Sequence, residues 1–151
     1  MRMTQEERKE PDCHRGGDRG QRNLRTIDVG YEQPVVSRNR SAVLAACGVG
    51  SCVCVCVYDP YGKAAGMAHV LLPSAGPGED GRNDQKYADV VVPKLIRRMR
   101  RGLPEGGELI VKIAGGANML PSEYGDNSIG ARNVKEIRRL LDELGCIITA
   151  E

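Results

Sequence analysis

The stretch Gly48-Val49-Gly50-Ser51-Cys52-Val53-Cys54-Val55-Cys56-Val57-Tyr58-Asp59-Pro60 constrains this chain more than any other. Valines alternate with cysteines, a period of two that belongs to a strand with valines on one face and thiols on the other. The glycines before it allow close approach of backbone to a ligand. Asp59-Pro60-Tyr61-Gly62 after it is a turn signal. Cysteine is small and often buried, so a thiol face is packing material by default. Cys52 differs from Cys54 and Cys56 because it follows the bare amides of the Gly-Ser turn.

The six cysteines resemble a disulfide set in number but not in spacing. Residues on one face of a strand lie about 6 to 7 Å apart, whereas bridged Cβ atoms lie about 4 Å apart, so Cys52, Cys54 and Cys56 do not bridge one another. The same spacing is too wide for zinc, whose tetrahedral thiolates lie about 3.8 Å apart. Cys13-His14 offers two adjacent ligands with no further Cys or His nearby, which makes no metal site. No secretory signal and no apolar run of about 20 residues is present, so reduced thiols, a cytoplasmic location and no membrane insertion are expected. A net charge of +2 and an aromatic content supplied only by five tyrosines speak against nucleic acid as a partner.

With 151 residues, one domain is expected. Residues 1–24 are charged and nearly free of apolar side chains, a polar tail too poor in burial to order itself; the single domain covers 25–151. Apolar patterning predicts strands from Arg25 to near Pro34 and over Ala42–Ala46, Val53–Tyr58, Ala64–Leu72, Glu108–Ala114 and Cys146–Ala150. Helical spacing predicts helices over Tyr87–Arg101 and Asn133–Leu144, the second with Asn133 as N-cap and Gly145 as stop. Ser74–Asp84 and Gly125–Gly130 read as loops. Pro93 either kinks the first helix or marks its first turn. The fold class is therefore α+β (mixed α/β).

A thiol nucleophile needs a base, an oxyanion site and an open approach. Cys52 follows amides near Gly50 and Ser51, and His69 lies one hairpin later, where adjacent antiparallel strands bring the two within reach. The competing reading makes Cys52, Cys54 and Cys56 one small-residue face and His69 a satisfied core histidine.

The blocks Gly48–Val53, Tyr58-Asp59-Pro60, Gly66–Pro73, Lys86–Asp89, Lys112–Met119 and Ile129–Asn133 together resemble the CheD family of chemoreceptor glutamine deamidases. The resemblance covers residues 26–151. It implies a mixed β-sheet core flanked by helices, similar to the catalytic domains of deamidating toxins. It further implies a cytoplasmic protein-glutamine deamidase with no cofactor and no metal, acting on methyl-accepting chemotaxis receptors in partnership with a CheC-type phosphatase. Cys52 matches the family's nucleophile and His69 its base, with the backbone of Gly50 and Ser51 as oxyanion support. The family commonly has threonine where Ala46 stands, so the third member of the site is open; Ser51 and Asn118 are candidates to replace it. Chains of the family also continue past the position of Glu151 with further strands, which leaves this domain expected to lack its closing strands. Both departures suit an alternative in which the protein is a non-catalytic or weakly catalytic regulator of the phosphatase or the receptor.

Overall fold

The computed structural model describes residues 24–31, 33–75, 85–118 and 127–151. The tail predicted for residues 1–24 lies, Leu24 apart, outside the described residues, as does most of the Ser74–Asp84 loop. Among the described residues seven strands and two helices follow in the order β1 (Arg25–Asp28), β2 (Val35–Ser37), β3 (Ala42–Ala45), β4 (Val53–Asp59), β5 (Ala64–Val70), α1 (Ala88–Arg100), β6 (Ile110–Gly115), α2 (Ile129–Glu143) and β7 (Ile148–Ala150). The main sheet has the order β2-β5-β4-β6-β7, with β7 parallel to β6 and the other neighbours antiparallel. A second sheet pairs β1 with β3 in parallel. The α+β architecture with a mixed sheet and flanking helices is the expected one.

The alternating stretch organises the main sheet as its pattern demands. Val53, Val55 and Val57 are buried among Ala68, Val70, Leu95, Ile96, Met99, Val111, Ile113, Ile137 and Leu141, an aliphatic core between the sheet and both helices. Gly66 belongs to that face: a Cβ there would run into Leu95 and Met99, so its absence lets α1 settle on the sheet. The opposite face carries Cys54, Cys56 and Tyr58, paired across β5 with His69, Met67 and Ala65. The β1–β3 ribbon adjoins this second face, where Leu44 shares a groove with Cys56 and Met67.

The hairpin turn decides what shares that face. The buried Asp59 carboxylate accepts from the amides of Tyr61 and Gly62, both at 2.9 Å, and closes a turn that sets Asp59 opposite Ala64. Every later pair follows, down to Cys54 opposite His69 and Val53 opposite Val70. Because side chains alternate, a slip of one residue would drive His69 into the helix side of the sheet.

Two expectations change, and the open choice for Pro93 is resolved. The strand expected from Arg25 to near Pro34 ends at Asp28, before Gly30, and the residues after Pro34 form a separate strand, β2, in the other sheet. Pro93 lies inside α1 rather than in its first turn. Helix α2 starts a turn earlier than Asn133: Ser128 is its N-cap, with its hydroxyl accepting from the Ala131 amide at 3.2 Å, so Ile129 and Gly130 are helical rather than loop. Among the described residues no helix is long and apolar enough to cross a membrane.

Replacing Asp59 by Ala leaves two turn amides without their acceptor. Urea denaturation of Asp59→Ala is expected to show a loss of about 1 to 3 kcal/mol in unfolding free energy; an unchanged midpoint would show that the turn does not set the hairpin.

Candidate active site

Cys52 sits immediately before β4, and each carbonyl around it is held from the far side. The Ala117 amide donates to the Gly50 carbonyl at 2.9 Å, and the Gly116 amide donates to the Cys52 carbonyl at 2.8 Å. Between them the Asn133 side-chain amide donates to the Ser51 carbonyl at 3.0 Å. A trans peptide points its C=O and N–H in opposite directions. Holding the Gly50 and Ser51 carbonyls toward β6 and α2 therefore turns the amides of Ser51 and Cys52 the other way. The Cys52 amide indeed faces its own sulfur, where it favours the thiolate.

The grip depends on glycines at close approaches. Gly115 and Gly116 have φ of 115° and 74°, in the left-handed region, and a side chain on Gly115 would collide with the Cys52 carbonyl. Gly130, in the first turn of α2, lies against the backbone of Gly116 and Ala117 with no room for a Cβ. The Gly-Gly and Ile-Gly-Ala-Arg-Asn blocks are thus parts of one support beneath the Cys52 turn.

His69 is 2% exposed and lies on β5 on the same face as Cys54, its direct partner. Continuing the register places Cys52 opposite Leu71, diagonal to His69, a separation of about 7 to 8 Å between backbones that long and aromatic side chains span. The imidazole hydrogen-bonds to the Val29 backbone, whose own amide is committed to the Ala45 carbonyl at 2.7 Å. The Val29 carbonyl is therefore the acceptor. Nε2 is buried without a partner, so Nδ1 makes this bond and the lone pair resides on Nε2. The Tyr31 ring packs on the imidazole with centroids 4.6 Å apart at 52°.

Of the candidates for the third position, Ser51 has its carbonyl tied to Asn133 and Asn118 is exposed. The contacts that fix the His69 ring are the Val29 carbonyl and the Tyr31 ring, both contributed by the segment at the end of β1. A backbone carbonyl carries no signature in a sequence, and Tyr31 reads only as an apolar strand residue. Asn133 offered a signal of another kind, a polar residue at the apolar phase of its helix, four before Ile137 and eight before Leu141.

Electrostatics separate the thiols. Burial pushes the Cys52 thiol up, and its own amide pulls it partly back. Cys54 has no such donor; burial, with Cys56 and Cys52 adding repulsion, pushes it up to about 11. Cys56 is raised by burial and eased by Lys112. Burial lowers His69, partly offset by the bond to Val29. Both shifts favour a neutral thiol and a neutral imidazole at rest. Cys52, Cys54, Cys56 and Cys146 are free, as expected, whereas Cys47 is disulfide-bonded. Among the described residues no three metal-binding side chains cluster.

The family model for CheD chemotactic sensory transduction matches residues 71–151. That match begins just after β5 and does not include Cys52 or His69. A chemoreceptor glutamine deamidase CheD of Thermotoga maritima is 40% identical over 125 residues, 82% of this chain and 75% of the relative. A probable chemoreceptor glutamine deamidase CheD of Haloarcula marismortui is 40% identical over 125 residues, covering 83% and 71%. One of Geobacillus kaustophilus is 42% identical over 129 residues, covering 83% and 76%.

Peptide mapping of iodoacetamide labelling across pH is expected to show Cys52 labelled at lower pH than Cys54, whose labelling rises near about 11. The reverse order would remove Cys52 from the site.

Proposed function

The chain belongs to the CheD family, and from that premise we propose that it is a protein-glutamine deamidase acting on chemoreceptors, with Cys52 as nucleophile and His69 as general base and acid. The observation that carries the residue assignment is the His69 ring itself: Nδ1 is committed to Val29, and a buried, unpartnered Nε2 shares the face of the sheet with Cys52, whose thiol has a backbone donor.

In this reading the receptor glutamine presents its side-chain carboxamide carbon to Cys52. His69 Nε2 takes the thiol proton as sulfur bonds to that carbon, and the carbonyl oxygen becomes an oxyanion facing the amides of Ser51 and Cys52. The resulting imidazolium gives its proton to the carboxamide nitrogen, the C–N bond breaks, and ammonia leaves a thioester behind. Water, losing a proton to Nε2, adds to the thioester carbon, and the C–S bond breaks to restore the thiol and release glutamate. Oxygen comes from water and nitrogen departs as ammonia, so no redox partner is needed. The Val29 carbonyl keeps the imidazole in the productive tautomer throughout and stabilises its protonated form, the role a side-chain hydroxyl plays elsewhere. Ala46 therefore does not leave the ring unsupported.

Family resemblance also supports methyl-accepting receptors as the substrates, a CheC-type phosphatase as regulatory partner, and a cytoplasmic site of action. Residues 25–151 act in this proposal as one catalytic domain.

Incubated with a receptor fragment, the protein is expected to release ammonia and raise the fragment mass by about one dalton per converted glutamine, with Cys52→Ala lowering the rate roughly a thousandfold or more. Full activity in Cys52→Ala would overturn the assignment. The neutral imidazole is the working base, and burial lowers its pKa, so the acid limb of kcat/KM is expected below the ordinary histidine value of about 6.5. Tyr31→Ala exposes the ring and should move that limb upward; a downward shift, or none, would show that Tyr31 does not shield His69.

A further inference from the structure

Asn133 is fully buried in α2, at a position that the helix would otherwise give to an aliphatic side chain. Its amide nitrogen donates at 3.0 Å to the Ser51 carbonyl and at 3.0 Å to the Leu71 carbonyl. These two carbonyls belong to different parts of the site. Ser51 precedes the candidate nucleophile, and Leu71 follows β5, two residues beyond His69. Both amide hydrogens are thereby used, one on each side of the dyad. The side-chain oxygen is left buried with no hydrogen-bond partner, a cost that an apolar residue would avoid and that therefore points to a geometric role.

The peptide between Ser51 and Cys52 shows what that role is. Its carbonyl is the acceptor for Asn133, so its N–H, the Cys52 amide, points away from α2 and toward the sulfur. Rotation of this one peptide would remove the amide from the place where the oxyanion forms. The second bond limits how far the Cys52 turn can drift from the end of β5. Gly130, three residues earlier on the same helix, touches the Gly116 backbone, and the Gly116 amide holds the Cys52 carbonyl. Helix α2 thus reaches both ends of Cys52.

We propose that Asn133 is the positioning residue of this site: by binding the Ser51 and Leu71 carbonyls together it aims the Cys52 amide at the oxyanion and fixes the separation of Cys52 from His69. The inference rests on the deamidase reading for its catalytic meaning, but the geometry it describes is testable without substrate. A positioned group of this kind acts on the chemical step and not on docking of the receptor, so it should separate kcat from KM.

The test uses the full chain with Asn133→Ala, which removes both donors, and Asn133→Ser, whose hydroxyl can keep one. Far-UV circular dichroism first establishes that each variant is folded at the assay temperature. With a receptor fragment, Asn133→Ala is expected to lose about 30-fold or more in kcat while KM stays within about threefold, and Asn133→Ser to recover part of the loss. Without substrate, the pH dependence of Cys52 labelling by iodoacetamide is read in parallel. Wild type should show an early step from neutral His69 assisting the thiol and a later one from the thiol itself; Asn133→Ala should keep only the later step. A folded Asn133→Ala with kcat within about threefold of wild type, or with the His69 step intact, would overturn the proposal, as would failure of both variants to fold, which would assign Asn133 to stability alone. A wild type that releases no ammonia from the fragment would defeat the deamidase reading instead, and the labelling profiles would then decide the positioning role by themselves.

Discussion

Everything at this site depends on how the backbone around Cys52 is held. Three successive carbonyls, of Gly50, Ser51 and Cys52, are each bound from the helix and β6 side, by Ala117, Asn133 and Gly116. Planar peptides convert that grip into a direction for the amides on the other side. A thiol buried in an aliphatic domain would ordinarily be inert, and the free thiol of Cys54 shows it, pushed up to about 11 by burial and its neighbours. What distinguishes Cys52 is a donor beside its sulfur, and that donor exists because its peptide partner carbonyl is occupied elsewhere.

The second half of the site is set by strand register. Asp59 closes the hairpin, the hairpin sets Cys54 opposite His69, and the alternation of side chains leaves His69 on the face away from the helices. The segment that follows β1 then supplies what the sheet cannot, a carbonyl for Nδ1 and an aromatic ring over the imidazole. Burial makes the histidine a weaker base than usual but keeps it neutral and ready to accept a proton; the Val29 bond recovers part of its basicity. Two neutral partners and a preset amide suit attack on a carboxamide, where charge should appear in the transition state and not before.

Much of this was legible in the sequence, for identifiable reasons. The Val-Cys alternation announces its strand because both faces have a consistent chemistry, and Asp59-Pro60-Tyr61-Gly62 announces its turn because few residues suit that geometry. Cys52 and His69 were readable as candidates from their place beside these features. Val35–Ser37, past the expected stop at Pro34, form the edge strand β2, and three residues are too few for a period-two pattern to announce. Asn133 was misplaced as a helix cap because asparagine favours caps in general, and only the packing reveals that Ser128 holds that position. Support for His69 was invisible in principle, since Val29 contributes through its backbone and any residue there would present the same carbonyl.

The central claim is that His69 is held as the Nδ1-protonated tautomer, with an unprotonated Nε2 available to the Cys52 thiol. Nitrogen-15 NMR of the imidazole ring in the free protein, with His14→Gln removing the other histidine, measures this directly. Near neutral pH the account predicts a protonated, hydrogen-bonded Nδ1 and a bare Nε2, with Cys52→Ala leaving the Nδ1 signal in place. A ring protonated on Nε2 with a bare Nδ1 would contradict it, because that imidazole has no lone pair to offer Cys52 and no donor to offer Val29.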